Sequence, residues 1–277
     1  MKFKMTPKRM ILGILQDARK VPTSIKSLIE IGALFGFTDN SIRVTNARLI
    51  CDGVVEQDAR GQYRISQDFS VVNQYITSWK LGDSRTIPWD GSWIACWLPR
   101  NQGRHKLRNQ RSLSLLGFQE GMPKFWVRPN NLSMAFDDLK AILFRFGLDE
   151  KAELFIAHKF SESLTGQWKL FLWPIEDIIQ RQLALEEKLR NSADRIDDLP
   201  FRNALVETYR LGSEAIYLLL TDPLLPAEMM SNASRLSLTR TMLEYNVLGK
   251  EIWRKRFDDL HFTTTPSYIE LPTETMH

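Results

Sequence analysis

Apolar residues in the first part of the chain recur at helical spacing. After Thr6-Pro7, where threonine can cap free amides and proline is tolerated in a first turn, Met10, Ile11, Ile14 and Leu15 fall on one face. A second start at Thr23 or Ser24 leads into Ile25, Leu28 and Ile29 and on toward Leu34. The stretch Phe35-Gly36-Phe37-Thr38 then breaks the pattern, and Thr38 can cap a third helix reaching about Cys51. Helix, short glycine-bearing turn and helix make a helix-turn-helix arrangement. Residues Val54 to Ser66 hold two β-prone runs around Gly61, which predicts a hairpin where a winged helix carries its wing.

The pattern changes twice more. A connecting helix is predicted from Phe69 to Trp79, followed by linker-like Gly82-Asp83-Ser84 and Pro88. Strands are then expected over Trp89–Pro99, Lys124–Pro129 and Ala152–Ala157, with helices over Gln102–Leu116 and Asp137–Phe146 between them. This order, β-α-β and then α-β, predicts a ferredoxin-like sheet with its helices on one face. From about Trp173 the pattern is helical, over Ile175–Arg190, Phe201–Leu220 and Leu236–Arg256, with the proline-bounded turn Thr221–Glu228 between the last two. The expected class is α+β and multidomain. Its parts are a winged helix-turn-helix over 1–68, a linker helix over 69–88, a ferredoxin-like domain over 89–170, a helical domain over 171–262 and a flexible tail over 263–277.

Composition narrows the function classes. A chain of 277 residues suggests two or three domains, and 43% hydrophobic with 25% charged residues is globular. No apolar run is long enough for a bilayer-spanning helix, and MKFKMTPKRM lacks the apolar core of a signal peptide, so a cytoplasmic protein is expected. Cys51 and Cys96 lie far apart, and His105, His158, His261 and His277 do not join them at zinc-ligand spacing. Neither a metal nor a cofactor is therefore expected. The net charge of +4 is unevenly spread: residues 1–66 hold 11 Lys/Arg against 6 Asp/Glu, and the remainder is close to neutral. A polyanion would meet that end first, because neutralising phosphates releases condensed counterions.

On the third helix the chemistry suits a reader of duplex DNA. Arginine can bond guanine edges or phosphate, asparagine can pair with adenine, and small residues allow close approach to a thymine methyl. Asn40, Ser41, Arg43 and Val44, just after the capping Thr38, are expected at base edges, with Asn46 and Arg48 nearer the backbone. Arg60 at the hairpin tip and Arg64 on its return strand complete the candidate set, as phosphate or minor-groove contacts. The expected partner is double-stranded DNA carrying a near-palindromic operator, bound by a homodimer.

A second basic stretch lies within 100–128. There Arg104, Arg108 and Arg128, with Trp126, could form a solvated helix face or touch DNA. Catalysis is not expected. The paired acids Asp137-Asp138, Asp197-Asp198 and Asp258-Asp259 are neighbours that cannot share a helix face, and the first pair fits an N-cap. A Cas2-like metal-dependent nuclease, the rival enzyme class, needs an aspartate near the end of the first central strand, which here reads Trp97-Leu98-Pro99. A constitutive DNA-binding protein with no effector is the other alternative.

Several segments together resemble the PaaX family of bacterial repressors, regulators of phenylacetic acid degradation. They are Phe35-Gly36-Phe37 to Arg48-Leu49, Trp89-Asp90-Gly91-Ser92-Trp93, Leu116-Gly117-Phe118 with Trp126-Val127-Arg128-Pro129, and Asp222-Pro223-Leu224-Leu225-Pro226-Ala227-Glu228. The resemblance implies a winged helix, a central domain similar to the Cas2 fold, a helical C-terminal domain, dimerisation, and repression of a phenylacetate-type catabolic operon. It further implies release from the operator by an acyl-CoA effector such as phenylacetyl-CoA, and with it a further use for Arg104, Arg108 and Arg128, with Trp126: receiving the phosphates and ring of a coenzyme A thioester. The chain departs from the family's common Tyr-Arg-Arg run, having Tyr209-Arg210-Leu211 instead.

Overall fold

Met10, Ile11, Ile14 and Leu15, four of the residues that share a face in the sequence, are all fully buried in helix α1 (Pro7–Asp17). A computed structural model describes residues 5–17, 22–66, 70–99 and 103–255, apart from the side chains of 17, 70–73 and 104. The tail expected over 263–277 lies outside the described residues.

The N-terminal unit runs α1, β1 (Thr23–Ser24), α2 (Ile25–Leu34), α3 (Asp39–Cys51), β2 (Val55–Ala59) and β3 (Gln62–Ile65). Its three strands pair antiparallel in the order β1-β3-β2. Ser24 caps α2 by accepting from Ser27 N at 3.0 Å. Gly36, at φ +79°, closes that helix: Phe37 N donates to Gly32 O and Gly36 N to Ala33 O, two bonds that occupy carbonyls a helix end would leave open.

The central unit is β4 (Trp93–Trp97), α5 (Gly103–Leu115), β5 (Gln119–Met122), β6 (Phe125–Pro129), α6 (Phe136–Arg145) and β7 (Glu153–Ala157). Its four strands are antiparallel in the order β5-β6-β4-β7. Strand alternation sends Ile94, Cys96 and Trp126 to one face, into a core with Leu113 of α5, Leu139 and Ile142 of α6, and Phe146 just after it. Trp93, Ala95 and Val127 face the other way. They are covered by Trp168 of α7 (Glu162–Phe171), Trp173, Leu225 and Met230. The second face is thus closed as well, where the sequence predicted helices on one face only. Neither β5, which is polar, nor α7 was foreseen.

Helices α8 (Ile175–Arg195), α9 (Phe201–Leu220) and α10 (Ala233–Arg254) join the other two units. Leu219, Leu238, Met242 and Tyr245 pack against the central core, while Tyr209, Ile252 and Trp253 pack against α1–α3. Helix α4 (Ser70–Thr77) and the 3-10 stretch Ser78–Arg85 stand where a linker was expected, but Tyr75, Ile76, Trp79 and Arg85 are buried. This segment is therefore part of the core. Asp137 and Asp138 occupy the first turn of α6 and not its N-cap, which is Ala135; there they complement the positive end of the helix. Among the described residues, no helix is long and apolar enough to cross a membrane.

Candidate nucleic-acid interface

Helix α3 is held on one side and free on the other. Ile42 and Leu49 are buried, and Ile42 sits so close to Gly32 of α2 that a Cβ there would come within 2.8 Å of it. Thr38 caps the helix by accepting from Ser41 N at 3.2 Å. The outward side presents Asn40, Arg43, Val44, Ala47 and Arg48, residues three or four apart along a single stripe.

Asn46 does not belong to that stripe. It is 2% exposed, in line with Ile42 and Leu49, and its Oδ1 has no hydrogen-bond partner. A residue four after Ile42 and three before Leu49 must share their face, so Asn46 is withdrawn from the backbone role expected of it. Ser41 is half-buried at the helix start, and Thr38 is exposed but uses its hydroxyl as the cap. Arg43 Nε lies 2.6 Å from Asp39 Oδ1, with both side chains more than half exposed. An exposed pair of this kind is worth less than about 1 kcal/mol, so a phosphate or base could displace the aspartate.

In the hairpin, Gly61 at φ +74° follows Arg60, which is exposed at the tip. A bulge between Gln57 and Ala59 sharpens the bend. Arg64 is placed differently from the expectation of a free phosphate contact: its Nε lies 2.7 Å from Glu56 and 3.3 Å from Asp58, so two carboxylates hold it across the strands.

Arg108, Trp126 and Arg128 do not assemble into one pocket. Arg128 is 1% exposed and donates inward, to the carbonyls of Leu116, Pro129 and Pro223 and to Asn131 Oδ1. Trp126 is buried in the core on the same face of β6. Arg108, near the middle of α5 and eight residues before the Leu116 that Arg128 reaches, lies against Gly147. A helix rises about 1.5 Å per residue, which puts about 12 Å of helix axis between Arg108 and Leu116. The Arg104 side chain lies outside the described residues.

The charged cluster that the fold does bring together was not singled out in the sequence. Arg235 of α10 is 2% exposed and bridges Asp222, at 3.3 Å, and Asp83, at 3.1 Å. Asp222 also accepts from Leu224 N at 2.7 Å, holding Leu224 at φ 51° in the turn after α9. The aspartate was visible in the segment Asp222–Glu228, whereas nothing in the helical pattern of α10 marked Arg235 as buried. Among the described residues, no group of three or more His, Cys, Asp or Glu side chains is placed to hold a metal ion.

No family model matches the chain, and no curated protein does. A solved structure titled "Uncharacterized protein Rv0674 from Mycobacterium tuberculosis" is similar, with a TM-score of 0.57 at 20% identity over 94% of this chain and 100% of that one. At that identity the likeness concerns the fold alone, and the chain shares an overall α+β architecture with it.

Proposed function

We propose that the chain is a DNA-binding transcriptional regulator that reads duplex DNA through α3 and steadies itself with the β2–β3 hairpin. The observation that carries this is the outward stripe Asn40, Arg43, Val44, Ala47 and Arg48, on a capped helix whose opposite side is locked into the core. Its residue types match the acceptor and methyl pattern of a major groove, and the exposed Arg60 extends the cationic surface. The order α1-β1-α2-α3-β2-β3 with strands β1-β3-β2 supports reading this unit as a winged helix. Strands β5-β6-β4-β7, with α5 and α6 as crossovers, support a ferredoxin-like reading of the centre, followed by a helical domain.

In this proposal a homodimer places two such helices in successive major grooves of a near-palindromic operator and represses a catabolic operon. The resemblance to PaaX proteins adds release by an acyl-CoA effector, for which the separated Arg108, Trp126 and Arg128 do not supply a common site. The test is titration of the purified chain against labelled duplexes from its own upstream region at several salt concentrations. Affinity should fall linearly on a log–log plot as phosphate contacts are screened. Salt-independent binding, or none, would remove the proposal.

A further inference from the structure

A cavity of about 240 Å³ lies among the segment 74–85, β6, α6 and the turn after α9. Much of its wall is apolar, from Leu116, Leu132, Met134 and Ile142. Two guanidinium groups share it, those of Arg85, which is 6% exposed, and Arg128. Buried cations are ordinarily paired with carboxylates. Neither of these hydrogen-bonds to one. Arg85 Nε donates to Gly82 O at 3.1 Å and its Nη1 to Leu219 O at 3.0 Å, while Arg128 reaches only carbonyls and Asn131.

Three hydrogen-bonding groups in the wall decide what the cavity lacks. Arg85 Nη2 and Ser78 Oγ are buried with no hydrogen-bond partner among the described residues. The Tyr75 hydroxyl is already used, donating to Leu115 O at 3.0 Å and Leu220 O at 2.7 Å. Of the two acids, Asp222 is occupied by Arg235, Gln182 and Leu224 N, and Asp138 is exposed at the rim. Arg85, Arg128 and Arg235 are set against the two carboxylates Asp83 and Asp222, so the interior carries one positive charge in excess. Burial lowers Arg128 to about 10, which leaves it cationic at neutral pH. A buried charged donor with no partner is among the costliest unmade hydrogen bonds, and an anion would satisfy it.

We propose that this cavity binds a small monocarboxylate with an apolar body, its carboxylate held by the lining residues Arg85 and Ser78, whose unpartnered Nη2 and Oγ turn toward it on binding, and its body lying against Leu116, Leu132 and Ile142. Leu81, 60% exposed, and Ser133, also exposed, line the same cavity, so it opens to solvent. At this size it lies just below the roughly 300 Å³ at which drug-sized ligand pockets begin. A compact acid fits, whereas a coenzyme A thioester brings a nucleotide and no acyl carboxylate. The ligand class thus differs from the one the PaaX resemblance implies, and the site does not depend on the DNA-binding proposal.

Calorimetric titration of the full chain with benzoate and hexanoate, against benzamide, hexanamide and benzoyl-coenzyme A, tests it. At least one acid should bind, and its uncharged amide should bind about tenfold more weakly or not at all, since a charge-assisted bond is replaced by a neutral one. Arg85→Gln should abolish the preference for the acid. Asp138→Asn, at an exposed position that leaves the core intact, should tighten binding of the acid and leave the amide unchanged, because one repelling charge leaves the rim. Three results would each overturn the site: amide binding equal to acid binding, tighter binding of the thioester than the free acid, or acid affinity indifferent to Asp138→Asn. Absence of any binding would do the same, and none of these results bears on salt-dependent DNA association.

Discussion

The hydroxyl of Tyr209 on α9 donates to the carbonyl of Met10 on α1 at 3.3 Å, and to that of Arg9 at 3.2 Å, tying the N-terminal unit to the C-terminal helices inside a shared core. Phe35, from the turn before α3, packs edge-on against the same ring with centroids 5.1 Å apart. Arg202 adds a bond to Ala33 O at 2.9 Å. Tyr209→Phe should therefore cost about 0.5–1.5 kcal/mol of stability, the range for a net hydrogen bond. Tyr209→Ala should cost about 3–5 kcal/mol through the cavity it leaves. Urea unfolding of both variants checks the two values. If the units were independent, neither change would alter the unfolding of α1–α3.

Removing Asp222 should be more damaging than removing Asp83. Asp222 is wholly buried opposite Arg235, while the Asp83 side chain is 32% exposed. Breaking a buried pair strands a charge and costs about 3–5 kcal/mol, whereas a partly solvated partner is replaced by water. Asp222→Ala and Asp83→Ala compared in denaturant melts should differ in that order, with Asp222→Ala also releasing the turn at Leu224.

Two glycines with nearly equal backbone angles should respond unequally to alanine. At Gly117, φ +77°, a Cβ would lie 2.7 Å from Pro223 Cα and 2.9 Å from its carbonyl oxygen, both backbone atoms that cannot swing away. At Gly36, φ +79°, nothing lies within 4 Å. Gly36→Ala should thus cost about 1–2 kcal/mol, the left-handed strain alone. Gly117→Ala should cost clearly more. Thermal melts decide, and equal losses would mean that the 222–226 turn yields.

For the proposed interface, Arg43→Ala should weaken operator binding by about 1–3 kcal/mol if it reads a base, and Arg60→Ala should reduce the salt slope by about 1. Asn46→Ala should leave operator affinity unchanged, since that side chain is buried behind the helix. Gel shifts at fixed salt separate the three. An effect of Asn46→Ala equal to that of Arg43→Ala would remove Arg43 as a direct base contact, since a buried residue can act on binding only by disturbing the seat of α3.

Burial pushes the Cys96 thiol from its ordinary 9.0 up to about 12, with Glu153 adding to the shift. Between those values the unfolded thiol has lost its proton while the folded one keeps it. The contribution to stability is therefore full below about pH 9 and is lost as pH rises toward 12. Tyr245, raised by burial from 10.0 to about 12, acts in the same direction. Cys96→Ala should flatten the decline of stability above pH 9. A thiol reagent at neutral pH should label Cys51, which is exposed, and reach Cys96 only on unfolding.

Local rules written in the chain determined most of the elements. The capped start at Thr38, the glycine turn before it, the hairpin around Gly61 and the span of α9 follow from spacing and capping within a few residues, and the structure has them there. The period of α3 also held the information that Asn46 shares a face with Ile42 and Leu49, although its polar side chain argued for the surface. Strand β5 escaped because Gln119-Glu120-Gly121-Met122 has no β-forming pattern and gains its order by pairing with β6.

Only tertiary structure decided the rest, because burial of charge is set by elements distant in sequence. Arg128 and Arg85 read as ordinary basic residues until β6, α6, the 3-10 stretch and the turn after α9 close around them. Arg235 finds Asp83 from 152 residues away. Spacing along one helix or strand specifies which residues share a face. It carries no information about what another segment later brings against that face, and the cavity is of that second kind.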